Sequence, residues 1–142
     1  MTRRELREHL LRLLFLKEFH EADELEEQCQ LYFDVILPDE GKPCDERDIT
    51  LERFKSIVER LPEIDALLMA RMKTWNIKRI GLIEKNILRL CAFEAKYDED
   101  VPERVAINEA VELAKQFGGQ QSAGFINGVM ARIVTPKDEE VK

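Results

Sequence analysis

No apolar run reaches the roughly 18 residues a membrane-spanning helix needs, so no membrane span is expected. The N-terminus carries arginines but no apolar h-region with a cleavage site, and is not read as a signal peptide. Cysteine is sparse. Cys29, Cys44 and Cys91 are odd in number, far apart and without a CxxC pair. They read as reduced thiols of a cytoplasmic protein, with Cys29 and Cys91 buried. His9 and His20 have no second His or Cys at ligand spacing, which argues against a zinc site. No GxxxxGK[ST] occurs, and Gly118-Gly119 is not GxGxxG. Glu109 and Glu112 form an i, i+3 pair, but the second Glu-x-x-His element of a carboxylate metal site is missing. Ser122 and the cysteines lack a sequence context for nucleophilic work. No catalytic residue, metal or cofactor is assigned, and nothing argues for an enzyme. Strand-type alternation and internal repeats are also missing.

What is present suits a charge-rich helical protein. The chain is 44% hydrophobic and 36% charged, and its 142 residues suffice for one domain with a real core. The net charge of −7 is uneven: +2 over residues 1–20, −10 over 21–65, +5 over 66–89 and −4 over 90–142. A non-specific nucleic-acid binder is usually basic throughout. Any RNA or DNA contact here must come from a local basic patch.

The strongest pattern is VPERVAINEAVELAKQFGGQQSAGFINGVMARIV, from Val101 to Val134. Val105, Ile107, Ala110, Val111, Ala114 and Phe117 recur at helical spacing. Pro102 stands at the start, and Gly118-Gly119 where the helix must stop. A second helix follows with Phe125, Ile126, Val129, Met130 and Ile133 as its stripe, and Ser122 as candidate N-cap. Ala110, Ala114 and Gly128 would let the two backbones approach, giving a tight helix pair at the centre of a bundle.

Earlier in the chain, residues 3–20 form a helix with Leu6, Leu10, Leu13 and Leu14 on one stripe. Residues 22–37 form another, burying Leu25, Cys29, Tyr32, Phe33 and Ile36, and ended by Pro38. A polar loop from Asp39 follows. Thr50 either caps a third helix or interrupts one begun near Asp45; Leu51, Phe54, Ile57, Val58 and Leu61 supply its face. Pro62 fits the first turn of a further helix with Ile64, Leu67, Leu68 and Met72. A helix from about Leu82 to Tyr97 presents Ile83, Ile87, Leu90, Cys91 and Phe93, with Glu84, Lys85 and Arg89 off that stripe. After Val134 a charged tail frays, from about residue 135. The expected architecture is all-α, about seven helices in one compact bundle.

Arg3, Arg4 and Arg7 cluster near the start of the first helix, and Leu11 and Phe15 extend that sector. Cations there oppose the helix macrodipole. One reading is a solvated, salt-bridged helix end. The other is a phosphate-binding tip with an aromatic beside it, since guanidinium binds phosphate bidentately. Trp75 reads as a base-stacking platform or, more commonly for a single Trp between amphipathic helices, a core anchor. Lys78, Arg79 and Lys85 read as solvated surface, and Asn108 and Asn127 as structural hydrogen-bonding groups.

The block VAINEAVELAKQFGGQQSAGFINGV closely resembles the C-terminal signature of the NusB family of bacterial transcription antitermination factors. The likeness extends to Trp75 with Arg79, to NILRL at Asn86–Leu90 and the helix ending AFEAKY, and to the arginine-leading first helix. It covers nearly the whole chain, and residues 21–60 match least.

The resemblance implies two packed helical subdomains forming a single RNA-binding domain over residues 1–142. It also implies binding of the boxA element of ribosomal RNA leader transcripts. The implied partners are NusE, a small-subunit ribosomal protein, and, in a larger complex, other Nus factors and RNA polymerase. Premature termination is thereby suppressed. Arg3, Arg4 and Arg7 match the family's arginine-rich RNA-binding N-terminus, and Phe15 an aromatic position beside it. Phe125 matches a phenylalanine at the RNA surface, though it also begins an apolar stripe and reads as core. Gln121 falls at a position associated with RNA binding or factor activity. Glu84 and Lys85 are assigned to the NusE-facing surface. The sequence departs from the family where Glu5 follows Arg3-Arg4, where Gln121 replaces an acidic residue, and where Gly124 replaces a lysine. The competing function is a protein–protein scaffold, or a homodimer that masks its own RNA face. RNA cytosine methyltransferases can also carry a NusB-like domain, but no Rossmann-type segment is found here.

Overall fold

The computed structural model describes residues 1–41, 45–72 and 80–134. Among these there are six helices and no strand: α1 (Arg3–Phe19), α2 (Ala22–Ile36), α3 (Glu46–Arg71), α4 (Leu82–Tyr97), α5 (Glu103–Phe117) and α6 (Gln120–Val134). The chain divides into two compact units, Met1–Glu59 and Arg60 onward. Trp75, Ile77, Lys78, Arg79, Cys44 and the charged tail lie outside the described residues.

In the first unit, α1 begins where the Thr2 hydroxyl accepts the Glu5 N–H at 3.0 Å, a side-chain cap for a free helix donor. Of its expected stripe, Leu10, Leu13 and Leu14 are buried and Leu6 is half-buried, and Leu11 joins them at 2% exposure. The helix packs against α2. There Cys29 and Phe33 are buried and Leu25 and Tyr32 half-buried, whereas Ile36, expected inside, is 48% exposed and the next residue, Leu37, is buried in its stead. Asp45 starts α3: one carboxylate oxygen accepts the Asp48 N–H at 2.9 Å and the other the Glu40 N–H at 3.3 Å. The Asp48 N–H and its neighbours hold the Asp45 carboxyl below its ordinary range. Thr50 does not interrupt the helix. Its buried hydroxyl donates to the Glu46 carbonyl at 2.7 Å.

The helix break expected at Pro62 does not occur, and so six helices are found where about seven were expected. Phe54, Ile57, Leu61, Ile64 and Leu68 are all buried, a seven-residue rhythm carried through the proline. Burial of that continuous stripe outweighs the lost N–H and the ring's clash with the preceding turn. Pro62 itself is exposed.

The second unit is built on α4. Every residue from Lys85 to Glu94 is buried, so this helix is covered on all sides. Both α5 and α6 pack on it and on each other. The close α5–α6 pair is therefore present, but α4 holds the centre. The buried face of α5 is Ala106, Ala110, Leu113 and Ala114, while Val105 is 40% exposed: the stripe is rotated from the expected one. Ala110 and Ala114 do line the contact. Gly128 does not, since it is exposed with nothing within 4 Å of where a Cβ would stand. Gly119, at φ 92°, makes the turn after α5 that L side chains resist.

Several polar groups inside the second unit are paired by hydrogen bonds. Arg89 Nε and Nη2 donate to the two Asp65 oxygens at 2.9 and 2.8 Å, and Nη1 to the Asn86 side chain at 3.2 Å. Asn86, fully buried, donates in turn to the Leu82 carbonyl at 2.9 Å. The Cys91 thiol donates to the Ala106 carbonyl at 3.3 Å, joining α4 to α5.

Candidate nucleic-acid interface

The first unit places Arg3 and Arg4 on the exposed opening turn of α1. Arg7 differs from them. It is 5% exposed, so it belongs to the interior and not to a solvated tip. One turn separates Arg3 from Arg7, and burial on α1 begins within it. Phe15 is half-buried, with its ring 5.1 Å from that of Phe19 at 52°. Phe19 is 60% exposed and extends the aromatic surface. Its i, i+4 spacing from Phe15 is the sequence signal for this pair.

The second unit turns Gln121 and Phe125 outward on α6. Ile126, Val129, Met130 and Ile133 are buried, whereas Phe125 is 39% exposed. The core reading of Phe125 is thereby overturned: it lies one residue off the buried stripe. Gln121, Gly124, Phe125, Gly128 and Arg132 are all exposed at spacings of three and four, forming one helical face. Nothing lies within 4 Å of a Cβ at either glycine, so the face stays low around the Phe125 ring. Arg132 was not expected there, although it follows Phe125 by two turns. Asn108 and Asn127 are exposed.

The residues assigned to a protein partner fare differently. Lys85 is 5% exposed, which corrects its reading as solvated surface. It sits where α4 enters the interior. Glu84 is half-buried and accepts a hydrogen bond from the Ser122 hydroxyl of α6. Ser122 is not the N-cap expected. It lies inside the first turn of α6, which begins at Gln120.

A groove of about 420 Å³ in the first unit has Leu25, Cys29, Phe33, Leu51, Phe54 and Val58 among its lining residues. It is mostly apolar, with Glu26, Lys55 and Glu59 also in its lining. Burial pushes the Cys29 thiol up from its ordinary range, which disfavours the nucleophilic thiolate. Among the described residues no group of three or more His, Cys, Asp or Glu is placed to hold a metal ion. None of the described helices is long and apolar enough to cross a membrane.

A model of the NusB family matches residues 4–135. The transcription antitermination protein NusB of Lachnoclostridium phytofermentans is 48% identical over 134 residues, covering 94% of this chain and 99% of that protein. The protein of the same name from Agathobacter rectalis is 40% identical over 133 residues, covering 93% and 98%. Among solved structures, T. maritima NusB aligns with a TM-score of 0.78 at 29% identity, covering 100% of this chain and 99% of that one. A chain of the crystal structure of antitermination factors NusB and NusE in complex with dsRNA aligns at 0.72 and 21% identity, covering 93% and 95%, a likeness of fold. With six helices among its described residues, a buried α4 and a match that spans nearly its whole length, the chain belongs to the NusB family.

Proposed function

We propose that this chain is a transcription antitermination factor that binds boxA RNA of ribosomal RNA leader transcripts together with NusE. It would act in the cytoplasm with other Nus factors on RNA polymerase, suppress premature termination, and perform no catalytic step. Residues 1–142 serve as one RNA-binding module. The observation that carries this reading is Phe125, a large aromatic left 39% exposed on a helix where Ile126, Val129, Met130 and Ile133 are buried. Such a ring can stack on an unpaired base, a contact available in single-stranded RNA. Gln121 on the same face offers amide donors and acceptors to base edges. Arg3 and Arg4 offer guanidinium forks to phosphate, with Phe15 and Phe19 further along α1. Arg7 is reassigned to supporting α1. Two observations support the reading from outside the chain. The curated relatives carry the antitermination name, and the fold recurs in the structure of NusB and NusE with dsRNA. NusE is assigned to the surface around Glu84, without Lys85.

The test is fluorescence anisotropy of a labelled boxA RNA titrated with the protein alone and with NusE, against a scrambled RNA at one salt concentration. Tighter binding to boxA, increased by NusE, is the expected result. Equal weak binding to both RNAs in both conditions would overturn the proposal.

A second reading is a self-associating module with its RNA face covered. Leu31, Val35 and Ile36 on α2 favour it, exposed by 52, 77 and 48%. Sedimentation velocity separates the two: a masked dimer dissociates when RNA is added, and a monomer at all concentrations removes this reading.

A further inference from the structure

One hydroxyl, that of Ser122, meets groups of two other helices of the second unit. Glu84, in the first turn of α4, accepts the hydroxyl proton of Ser122, in the first turn of α6. The same hydroxyl lies 3.1 Å from the carbonyl of Gly118, the C-cap of α5. Two glycines leave room for this. A Cβ at Gly81 would overlap the Glu84 carboxylate, and one at Gly118 would stand 2.6 Å from Ser122 Oγ and 3.2 Å from Glu84 Oε2. The arrangement also answers an electrostatic need. The first turn of α6 has no acidic residue of its own, and Glu84 brings a carboxylate to that turn at the Ser122 hydroxyl.

We propose that Glu84 is a positioning residue for the exposed face of α6: through Ser122 it anchors the first turn, so that Gln121 on that turn and Phe125 on the next are held ready for RNA. The inference rests on the reading of that face as an RNA surface. Glu84 need not touch RNA, and Ser122, 9% exposed, is too buried to serve as a partner contact. Removing either end of the hydrogen bond therefore frees the turn while every side chain that meets the ligand is retained.

The test uses the whole protein and the labelled boxA RNA in the absence of NusE, with E84A, E84Q, S122A, the E84A/S122A double variant and F125A. E84A and S122A should each weaken RNA binding by about fivefold, the scale of one hydrogen bond. The double variant should be no weaker than E84A, because both changes break the same link. E84Q keeps an acceptor for the hydroxyl and should stay within about twofold of the parent. The salt dependence of binding should not change in any of them, since the cations that meet phosphate are untouched. Where E84A fails to fold, S122A carries the test alone. Parent affinity in S122A, or additive losses in the double variant, overturns the positioning role while a weakened F125A leaves the RNA face standing. Parent affinity in F125A overturns the RNA face, and the positioning role with it.

Discussion

Arg89 on α4 grips Asp65 on α3 with two nearly parallel hydrogen bonds of 2.9 and 2.8 Å. The side chains are 10 and 24% exposed, so neither partner can recover full hydration if the other is removed. The planar fork matters as much as the charge. Arg89→Lys should therefore cost about 2 kcal/mol despite keeping the charge, and Asp65→Ala about 3 kcal/mol, because it leaves a guanidinium stranded in the interior. Urea unfolding followed by circular dichroism measures both. A lysine variant as stable as the parent would remove the bidentate argument.

His9 gives the first unit a pH response. Its Nδ1 lies 2.7 Å from the Tyr32 hydroxyl, and burial, helped by the charge of Arg12, holds its pKa below the ordinary 6.5. Glu8, Glu46 and Glu5 pull the other way and do not prevail. The folded chain thus binds fewer protons here than the unfolded chain. Its contribution to stability is present above pH 6.5 and is lost as the pH falls through the lowered folded value. Melting temperatures taken from about pH 7.5 to about pH 5.5 should fall in the parent and fall less in His9→Gln. Parallel curves for the two proteins would show that another group is responsible.

The three N-terminal arginines should separate into two classes. Arg3→Ala and Arg4→Ala should weaken RNA binding and flatten its log–log salt slope by roughly 0.7 for each single-strand phosphate left without its cation, with little change in melting temperature. Arg7→Ala should instead lower stability, because a 5% exposed side chain is removed from the interior. Anisotropy at several salt concentrations, paired with thermal melts, distinguishes them. An Arg7 variant of unchanged melting temperature and reduced slope would place that residue on the RNA after all.

Pro62 is exposed in the interior of α3. Alanine there restores a helix N–H and removes a ring from the preceding turn, so Pro62→Ala should raise stability by about 1 to 3 kcal/mol. A loss on denaturant unfolding would mean that the local shape of the helix at the proline is needed for the packing of Leu61 and Ile64.

Helix extents were largely legible. The limits of α4 follow from its apolar rhythm, and those of α5 from Pro102 and Gly118-Gly119, all signals contained in a few consecutive residues. Burial of Cys29 and Cys91 was equally readable from residue type and register. The start of α3 was ambiguous, because Asp45 and Thr50 both carry capping oxygens and only the observed hydrogen bonds choose between them. The candidate site was half legible. Gln121 and Phe125 came from a family signature, not from the apolar pattern, which counted Phe125 as core.

By itself the sequence determined an all-helical chain, most of its helix ends and the family to which it belongs, because caps, breakers, periodicity and motif identity act over short stretches. Tertiary structure alone decided the inward side where the apolar pattern misleads. Val105 points out while Leu113 points in, Arg7, Lys85 and Arg89 go inside, Phe125 stays outside, and α3 runs on through Pro62. Each of these depends on what another helix presents opposite: on α4, covered on all sides, the apolar rhythm marks the helix but does not tell that Lys85 and Arg89 go inside.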